Sequence, residues 1–412
     1  MVQHGSDPDA PSTSSYPSLS SSRSVDSVDS SLTTAVRTTS LWELAALFLR
    51  LGATAFGGPA VHIAMMEEEV VVRRQWLKRE EFLDFLGATN LIPGPNSTEM
   101  AIHIGRVRRG LAGLVVAGAS FILPAAVLVA CLAWAYVRYG ALSQVSALLY
   151  GVKPVVIVVI AQGAWRLARS AVKSAWLGVL GVTAAVAFAV GADALLTLAV
   201  AGGLSALAHV VRTGKKSGVG FVLAGLGTLG GAPVSLGLLF LVMLKIGATM
   251  FGGGYVLVAF LRSDLVLRLK WLTERQLLDA IAMGQVTPGP LFTTATFIGY
   301  LLGRGAGAAL ATVGIFLPAF VLVGLSGPLV PRLRRSAVAG AALDGINVAA
   351  LALMVVVSAQ LARTAIVDWV TAAIAVVSVV LLFRYRVNSA WLVLGGAGLG
   401  AAMLAVQMAR LA

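Results

Sequence analysis

The sequence predicts an all-α polytopic membrane protein made of two homologous repeats of about five crossings each. Hydrophobic residues make up 58% of the 412 residues and charged residues only 12%, whereas a soluble domain carries about a quarter charged residues. Apolar runs that approach or exceed the length of about 20 residues needed to cross a bilayer recur along the chain. Motifs of the first half return in the second half at a fixed spacing. The polar residues are too few to cover a soluble globule, so a lipid bilayer is the predicted partner of the surface.

Composition divides the chain into four segments. Residues 1–40 are rich in Ser and Thr and lack apolar periodicity, which is typical of a disordered tail. They also lack the apolar core of a signal peptide. The first repeat is predicted over 41–211 and the second over 233–412, joined by a Gly-rich, basic linker at 212–232.

The formal net charge of +13 raises the question of nucleic-acid binding. Lys and Arg lie instead in short clusters between apolar runs, for example Arg73–Arg74 and Lys215–Lys216. The positive-inside rule of membrane proteins produces this placement, so no nucleic-acid partner is predicted. One cysteine and four scattered histidines give no disulfide framework and no metal-ligand spacing. Neither a metal nor a cofactor is therefore predicted.

The repeat is visible in the motifs. Residues 50–58 read RLGATAFGG and residues 245–253 read KIGATMFGG, an offset of 195 residues. Chance rarely holds one offset over many motifs, so we interpret the halves as a duplication. Further pairs at this offset, or at one residue less, are Asp84 and Asp279, the Pro-Gly-Pro motifs at 93–95 and 288–290, and Gly151 and Gly345.

Loop charges suggest a topology. If each Pro-Gly-Pro stretch enters and leaves the membrane on one side, each repeat makes five crossings. The positive-inside rule then makes one set of loops cytoplasmic and places the N-terminus outside. An odd number of crossings inverts the second repeat, as in many secondary transporters, although a further crossing within 218–232 would make the repeats parallel. The loops on the predicted cytoplasmic face are 67–80, 105–110, 166–173 and 212–216.

Each Pro-Gly-Pro motif is predicted to join two broken or re-entrant half-helices, because proline ends one helix and favours the first turn of the next. The free N–H groups of such a start, near Asn96 or Leu291, bind anions, and hydroxyls in the first turn add donors. The alternative is a plain proline kink between packed helices. The substrate-binding residues predicted here are Pro93, Gly94, Pro95, Asn96, Ser97, Thr98, Pro288, Gly289, Pro290, Thr293 and Thr294.

The Phe-Gly-Gly motifs end the first apolar run of each repeat. Glycine permits positive φ and close backbone approach, so Gly57, Gly58, Gly252 and Gly253 are candidate substrate-binding residues, with helix packing as the alternative. The repeat mates Arg50 and Lys245 lie within apolar runs. A buried cation there faces the protein interior and can attract an anion, or it snorkels to the interface.

Carboxylates and amides complete the predicted site. Asp84, Asp279 and Glu99 are proton-coupling candidates, because acids in membrane spans often form proton relays; for Glu99 a helix-capping role is the alternative. The repeat mates Asn90 and Gln285 are neutral donors suited to an oxyanion.

Two further features are expected to lie in solvent. We interpret His62 as a loop histidine that faces water, and Glu67–Glu69 as a solvated run at the membrane interface.

The motifs RLGATAFGGPAVHI, TNLIPGPNSTEMA, KIGATMFGGGY and GQVTPGPLFTTATFIGY together resemble the chromate ion transporter family in its long, two-domain form. The resemblance covers about residues 41–405. It implies a permease of the bacterial cytoplasmic membrane that exports chromate, with coupling to the proton gradient and a link to sulfate, a similar dianion. It also implies halves of opposite orientation.

Three alternatives remain at this stage. The first is a permease for sulfate or another oxyanion. The second is a membrane enzyme, which is disfavoured because the sequence has no dinucleotide fingerprint or ligand cluster. The third is a scaffold without transport, which would not need paired Pro-Gly-Pro turns or cations in apolar runs. The sequence does not fix the oligomeric state, and a homodimer is a candidate.

Overall fold

The computed structural model describes residues 39–140, 142–213 and 233–411, and these residues form helices and loops only. The predicted tail up to residue 38 and linker residues 214–232 lie outside the described part. Six of the described helices are long and apolar enough to cross a membrane, and three shorter apolar helices accompany them. The prediction of an all-helical chain with several membrane spans is therefore confirmed.

The helices follow one another in two series with the same order of elements. The first series is α1 (Leu41–Thr54), α2 (Pro59–Glu67) with a π-helical turn (Glu68–Arg73), α3 (Arg79–Thr89), α4 (Asn96–Tyr139), α5 (Ser143–Ala171), α6 (Ala175–Ala189) and α7 (Ala194–Thr213). The second is α8 (Leu236–Thr249), a 3-10 turn (Gly254–Val256), α9 (Leu257–Leu261), a π-helical turn (Arg262–Arg268), α10 (Glu274–Val286), a 3-10 turn (Leu291–Thr293), α11 (Thr294–Arg335), α12 (Ala337–Ala365), α13 (Trp369–Phe383) and α14 (Ser389–Leu411).

Helix α4 consists of two antiparallel arms, 96–108 and 111–139. Arg109 and Gly110 leave helical geometry, and Gly110 takes a φ of 61°. The arms then touch, since a Cβ on Gly105 would collide with the carbonyl oxygen of Gly113. Small residues allow such close approach of two helices. Helix α11 reverses in the same way at Gly303 and Arg304.

Helices α1 and α2 also form a hairpin, whose tip is Phe56-Gly57-Gly58. Gly57 and Gly58 have φ values of 111° and 84°, which glycine adopts without steric cost. Contacts then pair the two arms from the open end to the tip. They are Arg74 Nη1 to Glu43 Oε1 at 2.7 Å, Arg50 Nη2 to Glu69 Oε1 at 2.6 Å, and His62 Nε2 to the carbonyl oxygen of Ala55 at 3.0 Å.

Helix α3 and the first arm of α4 form a second hairpin with Pro93-Gly94-Pro95 at its tip. The rings of Phe85 and His103 stack with centroids 5.3 Å apart. Nearer the tip, Asn96 Nδ2 donates to Asn90 Oδ1 at 2.9 Å. Both hairpins of the first series thus turn back at their glycine-containing motifs.

The open ends of these hairpins lie on one face, called here the basic face, together with the reversal at 109–110. Arg108 Nε donates to Thr39 Oγ1, just before α1, at 2.9 Å. The described chain thus begins on the basic face, not on the opposite, far face where the five-crossing topology would place it. The reason is that Phe-Gly-Gly reverses the chain instead of ending a crossing.

Helices of the two series pack directly against each other. Helix α14 lies antiparallel to α5, because a Cβ on Gly151 would collide with Gly396, and one on Gly400 with Ala147. In the order of elements, α14 holds the place in the second series that α7 holds in the first. Lys173 Nζ pairs with Asp344 Oδ1 at 2.7 Å and joins the basic-face end of α5 to α12.

Reciprocal backbone hydrogen bonds join the hairpin tips of the two series. Gly94 N–H donates to the carbonyl oxygen of Met250, and Gly289 N–H donates to that of Ala55, both at 2.9 Å. Each donor and each acceptor corresponds to its counterpart at the offset of 195 residues. The hairpin tips of the two series are therefore in direct contact.

Candidate functional site

A large cavity opens beside the α1–α2 hairpin, with a volume of about 1100 Å³. Five arginines but only two glutamates line it, and three of these arginines form no ion pair with any described residue. An excess of positive charge in a cleft concentrates anions. The charged lining residues are Arg50, Arg73, Arg166, Arg169, Arg386, Glu68 and Glu69. The unpaired ones are Arg166, Arg169 and Arg386.

A second cavity of about 480 Å³ lies between the hairpin tips. Its lining includes four of the predicted substrate-binding residues. Ala60, Arg166 and Tyr255 line both cavities, so the two cavities meet where these residues lie. The polar and glycine lining of the second cavity includes Thr89, Asn90, Asn96, Asn347, Lys173, Gly252 and Gly253.

The predicted cations are each paired with an acid, at corresponding positions of the two series. Arg50 pairs with Glu69 at 2.6 Å, and Lys245 pairs with Asp264 at 2.7 Å. The Arg50 side chain is 52% exposed and faces the large cavity, whereas the Lys245 side chain is 6% exposed and lines neither cavity. The sequence predicted that Arg50 and Lys245 would attract an anionic substrate. In the structure each of them forms an ion pair with a carboxylate of the protein.

Glu69 does not belong to a solvated run. It is buried, and it pairs with Arg50, Arg73 and Arg74. The expectation was wrong for this residue because the π-helical turn rotates Glu69 toward α1, while Glu68 stays exposed.

Most predicted residues of the Pro-Gly-Pro elements lie buried behind the cavities. The Thr293 and Thr294 hydroxyls donate to the carbonyl oxygens of Pro290 and Leu291 at 2.9 and 2.8 Å, so both hydroxyl hydrogens point back to the chain just before α11 and not into a cavity. Predicted residues that line neither cavity are Gly58, Pro93, Gly94, Pro95, Ser97, Thr98, Lys245, Gln285, Pro288, Gly289, Pro290, Thr293 and Thr294.

His62 is buried rather than solvent-facing, with 1% exposure. Its Nε2 atom lies 3.0 Å from the carbonyl oxygen of Ala55, and its Nδ1 atom lies 3.3 Å from Ser97 Oγ. A carbonyl only accepts, so Nε2 carries the proton and Nδ1 accepts from Ser97. His62 thereby ties the Phe-Gly-Gly tip to the first turn of α4.

Two of the three predicted proton-coupling acids are buried. Glu99 is fully buried beside Gly94, and neither carboxylate oxygen has a hydrogen-bond partner among the described residues. Asp279 accepts from the Tyr136 hydroxyl at 2.8 Å and pairs with Lys153 Nζ at 2.9 Å. Asp84 lies on the exposed surface of α3.

Sequence reasoning missed Lys153 and Arg166. Lys153 is a cation inside the apolar run 145–165, so the rule that singled out Arg50 and Lys245 could have found it. Arg166 begins a stretch that was interpreted as a basic loop, but it lies inside α5. In the described part of the chain, no group of three or more His, Cys, Asp or Glu residues is placed to hold a metal ion.

Comparison with known proteins gives a family. The profile described as Chromate transporter matches residues 42–207 and again 237–401. The chromate transport protein of Cupriavidus metallidurans is 33% identical over 374 residues, which cover 88% of this chain and 92% of the relative. That of Pseudomonas aeruginosa is 34% identical over 68% of this chain and 70% of its own.

The probable chromate transport protein of Synechococcus elongatus is 32% identical over 76% of this chain and 82% of the relative. No solved structure gives a significant match. The matched regions contain both hairpin pairs and both cavities. This multi-pass membrane protein belongs to the chromate transporter family.

Proposed function

We propose that the protein exports chromate across the cytoplasmic membrane, driven by the proton gradient, and accepts sulfate as a second substrate. The observation that carries the proposal is the arginine-rich cavity that leads from the basic face to the meeting point of the hairpin tips. Relatives named as chromate transport proteins match most of the chain, which supports chromate as the substrate.

The proposed architecture is a pair of inverted repeats, 41–211 and 233–412. Each repeat has four crossings and two re-entrant hairpins. Four crossings return the chain to its starting face, so inversion places the end of α7 and the start of α8 on opposite faces. Support comes from the reciprocal hydrogen bonds of Gly94 and Gly289 and from the antiparallel packing of α5 and α14. Irregular backbone at membrane depth is tolerated where it is buried in protein or lines a cavity, which holds for these tips. A homodimer stays a prediction.

The proposed direction of transport rests on which face of the protein lies in the cytoplasm and on which face the large cavity opens. Basic loops concentrate on the cytoplasmic side of membrane proteins, so the basic face is assigned to the cytoplasm. The large cavity opens beside residues of this face, including Arg73 and Arg169, and would admit chromate from inside the cell. Binding at the tips and opening toward the far face would complete export by alternating access.

The chemistry of the cavities suits a tetrahedral dianion. Such an ion gives up water, so it needs many donors and compensating positive charge. Unpaired arginines and the amides of Asn90, Asn96 and Asn347 supply both. Proton coupling is assigned to Glu99 and Asp279, because a buried carboxylate can exchange its charge for a proton.

The test uses inverted membrane vesicles from cells with and without the gene, given labelled chromate or labelled sulfate. Inward accumulation of chromate that requires the protein and collapses with a protonophore is expected. Chromate should be recovered unreduced, which separates transport from a reductase. Uptake of sulfate alone would contradict chromate as the substrate, and uptake that is indifferent to the protonophore would contradict proton coupling.

A further inference from the structure

The meeting point of the two cavities carries an arginine that no described residue neutralises. Arg166 lines both cavities, and it forms no hydrogen bond or ion pair with the described residues. Lys153, on the same helix, is held by Asp279. The glutamates of the large cavity are engaged by other arginines, chiefly Arg50 and Arg73. Arg166 therefore presents a free guanidinium where both cavities end.

Tyr255 faces the same point from the second half of the chain. Its ring packs on Gly163 of α5, where any side chain would overlap the ring. Its hydroxyl oxygen lies 3.1 Å from the position that a Cβ on Gly58 would take. The hydroxyl thus borders the Phe-Gly-Gly tip of the first half. It also lies close to the side chain of Gln285 and within electrostatic reach of Arg166.

Gln285 lies behind the Tyr255 hydroxyl and lines neither cavity. Its Nε2 atom is buried, and no described residue accepts from it in good geometry, so the neighbouring Tyr255 oxygen is the acceptor within its reach. An amide that donates to the phenol oxygen leaves the O–H of Tyr255 free to donate elsewhere. The guanidinium of Arg166 and this hydroxyl thus line both cavities as donors with no carboxylate between them.

We propose that Arg166 and Tyr255 form one binding centre for a tetrahedral dianion, with both cavities opening onto this site and Gln285 positioning the Tyr255 hydroxyl. This inference rests on the proposed transport function for the identity of the ion. The guanidinium supplies charge and paired donors that match an oxyanion, while the tyrosine hydroxyl supplies a neutral donor. Arg166 and Tyr255 were not among the residues predicted from the motifs.

The repeat supports one centre rather than two. The residues that correspond to Tyr255 and Arg166 in the other half are Ala60 and Gln360. Ala60 has no hydrogen-bonding side chain, and Gln360 accepts from Arg262 through its Oε1 atom. The second half therefore offers no copy of the guanidinium. We expect one dianion bound for each chain.

The test is equilibrium dialysis of the purified full chain in detergent, with labelled chromate and with labelled sulfate. One chromate should bind per chain. Arg166→Gln should weaken binding about 10- to 100-fold, and Tyr255→Phe should weaken it several-fold, as expected for hydrogen bonds to a charged group. The matched control is Arg212→Gln, an exposed arginine in the last turn of α7 that lines neither cavity, which should change binding by less than about twofold.

The outcomes separate this centre from the transport proposal. Arg166→Gln binding within about twofold of the parent, or two chromates bound per chain, would overturn the centre. A parent that binds sulfate but not chromate, with the same loss in Arg166→Gln, would keep the centre and overturn chromate as substrate. Arg166→Lys keeps the charge without the fork; it should bind with intermediate affinity, and full affinity would overturn the role of the guanidinium.

Discussion

The two halves of the molecule share one frame but differ in how their charges meet water. Arg50–Glu69 in the first half has an arginine side chain that is 52% exposed. In the corresponding Lys245–Asp264 pair both side chains are 6% exposed. In the inverted arrangement proposed above, these pairs lie toward opposite faces. The difference in exposure then corresponds to a molecule that is open on the basic face and closed on the far face.

A second contrast concerns sign rather than exposure. Glu67 and Arg79 lie 3.6 Å apart in the first half. The corresponding positions carry Arg262 and Glu274, paired at 2.6 Å with the charges exchanged. Both halves therefore place an ion pair between the end of the first hairpin and the start of the next helix, with opposite polarity.

The largest expected effect separates the two cations. Lys245→Met leaves Asp264 as a buried charge that lacks its main partner, which should lower the free energy of unfolding by about 3–5 kcal/mol. Arg50→Met should cost at most about 1 kcal/mol, because Arg50 is half exposed and Glu69 keeps Arg73 and Arg74. Thermal unfolding in detergent measures both.

The double variant Lys245→Met with Asp264→Leu is the control, since it removes both buried charges and should recover most of the stability. If that double variant then transports chromate at the full rate, Lys245 has no part in substrate binding. Equal losses for Lys245→Met and Arg50→Met would contradict the open-and-closed comparison.

The second-largest expected effect on stability concerns Gly289 and Gly94, the glycines whose backbone N–H groups join the two halves. Gly289 has a φ of 90°, and a Cβ there would lie 2.8 Å from Ala125 Cβ and 2.9 Å from the Gly52 carbonyl oxygen. At Gly94, whose φ is 143°, the obstacle is the end of the Glu99 side chain. We expect Gly289→Ala to cost about 2–4 kcal/mol and Gly94→Ala somewhat less.

Chromate uptake should fall in both glycine variants, because each displaces a tip from its partner half. Gly305→Ala is the matched control, since a Cβ there meets no atom within 4 Å. Full uptake by Gly289→Ala would show that the reciprocal hydrogen bonds do not position the site.

The charge reversal offers a swap experiment of intermediate size. Glu274→Arg places two cations together where Arg262 is only 11% exposed, and should cost about 2–4 kcal/mol. Arg79→Glu, at the more exposed corresponding pair, should cost less than about 1 kcal/mol. Adding Arg262→Glu to Glu274→Arg should restore more than half of the loss, although the contact with Gln360 is not regained. A double variant no more stable than Glu274→Arg would refute the exchangeable polarity.

The smallest expected effect concerns His62, whose counterpart is Leu257. Replacing His62 with that leucine removes the contacts to Ala55 and Ser97 and should cost about 1–3 kcal/mol. His209→Leu, on the partly exposed surface of α7, is the control and should be close to neutral. If His62→Leu left the free energy of unfolding unchanged, the contacts of His62 with Ala55 and Ser97 would not stabilise the first half.

Sequence patterns predicted the positions at which helices break better than the direction of the chain after each break. Composition gave the membrane-spanning class, and proline and glycine placed the breaks at 56–58 and 93–95. The reversal between α1 and α2 was missed because a glycine pair at the end of an apolar run is equally compatible with a completed membrane crossing and with a chain that turns back. The turn at Arg109–Gly110 was likewise hidden, since it lies within one continuous helical pattern.

Charged side chains were harder to place, because tertiary contacts decide their surroundings. Glu69 and Glu68 are neighbours of the same type, yet only Glu69 turns toward three arginines. Arg166 follows an apolar run and is typical of a helix end that reaches to the interface. The packing of Tyr255 against Gly163 shows that this part of α5 borders the other half of the chain.

The most direct test of opposite exposure uses the corresponding alanines Ala64 and Ala259. Ala64 lines the large cavity and Ala259 is 0% exposed. Each is changed to cysteine in a Cys131→Ala background and labelled with a membrane-impermeant thiol reagent from either side, with and without chromate turnover. We predict that Ala64→Cys labels from the basic face at rest, and that Ala259→Cys labels only from the far face and only during turnover. Labelling of both cysteines from the same face would contradict inverted repeats, and an Ala259→Cys that never labels while transport continues would contradict alternating exposure.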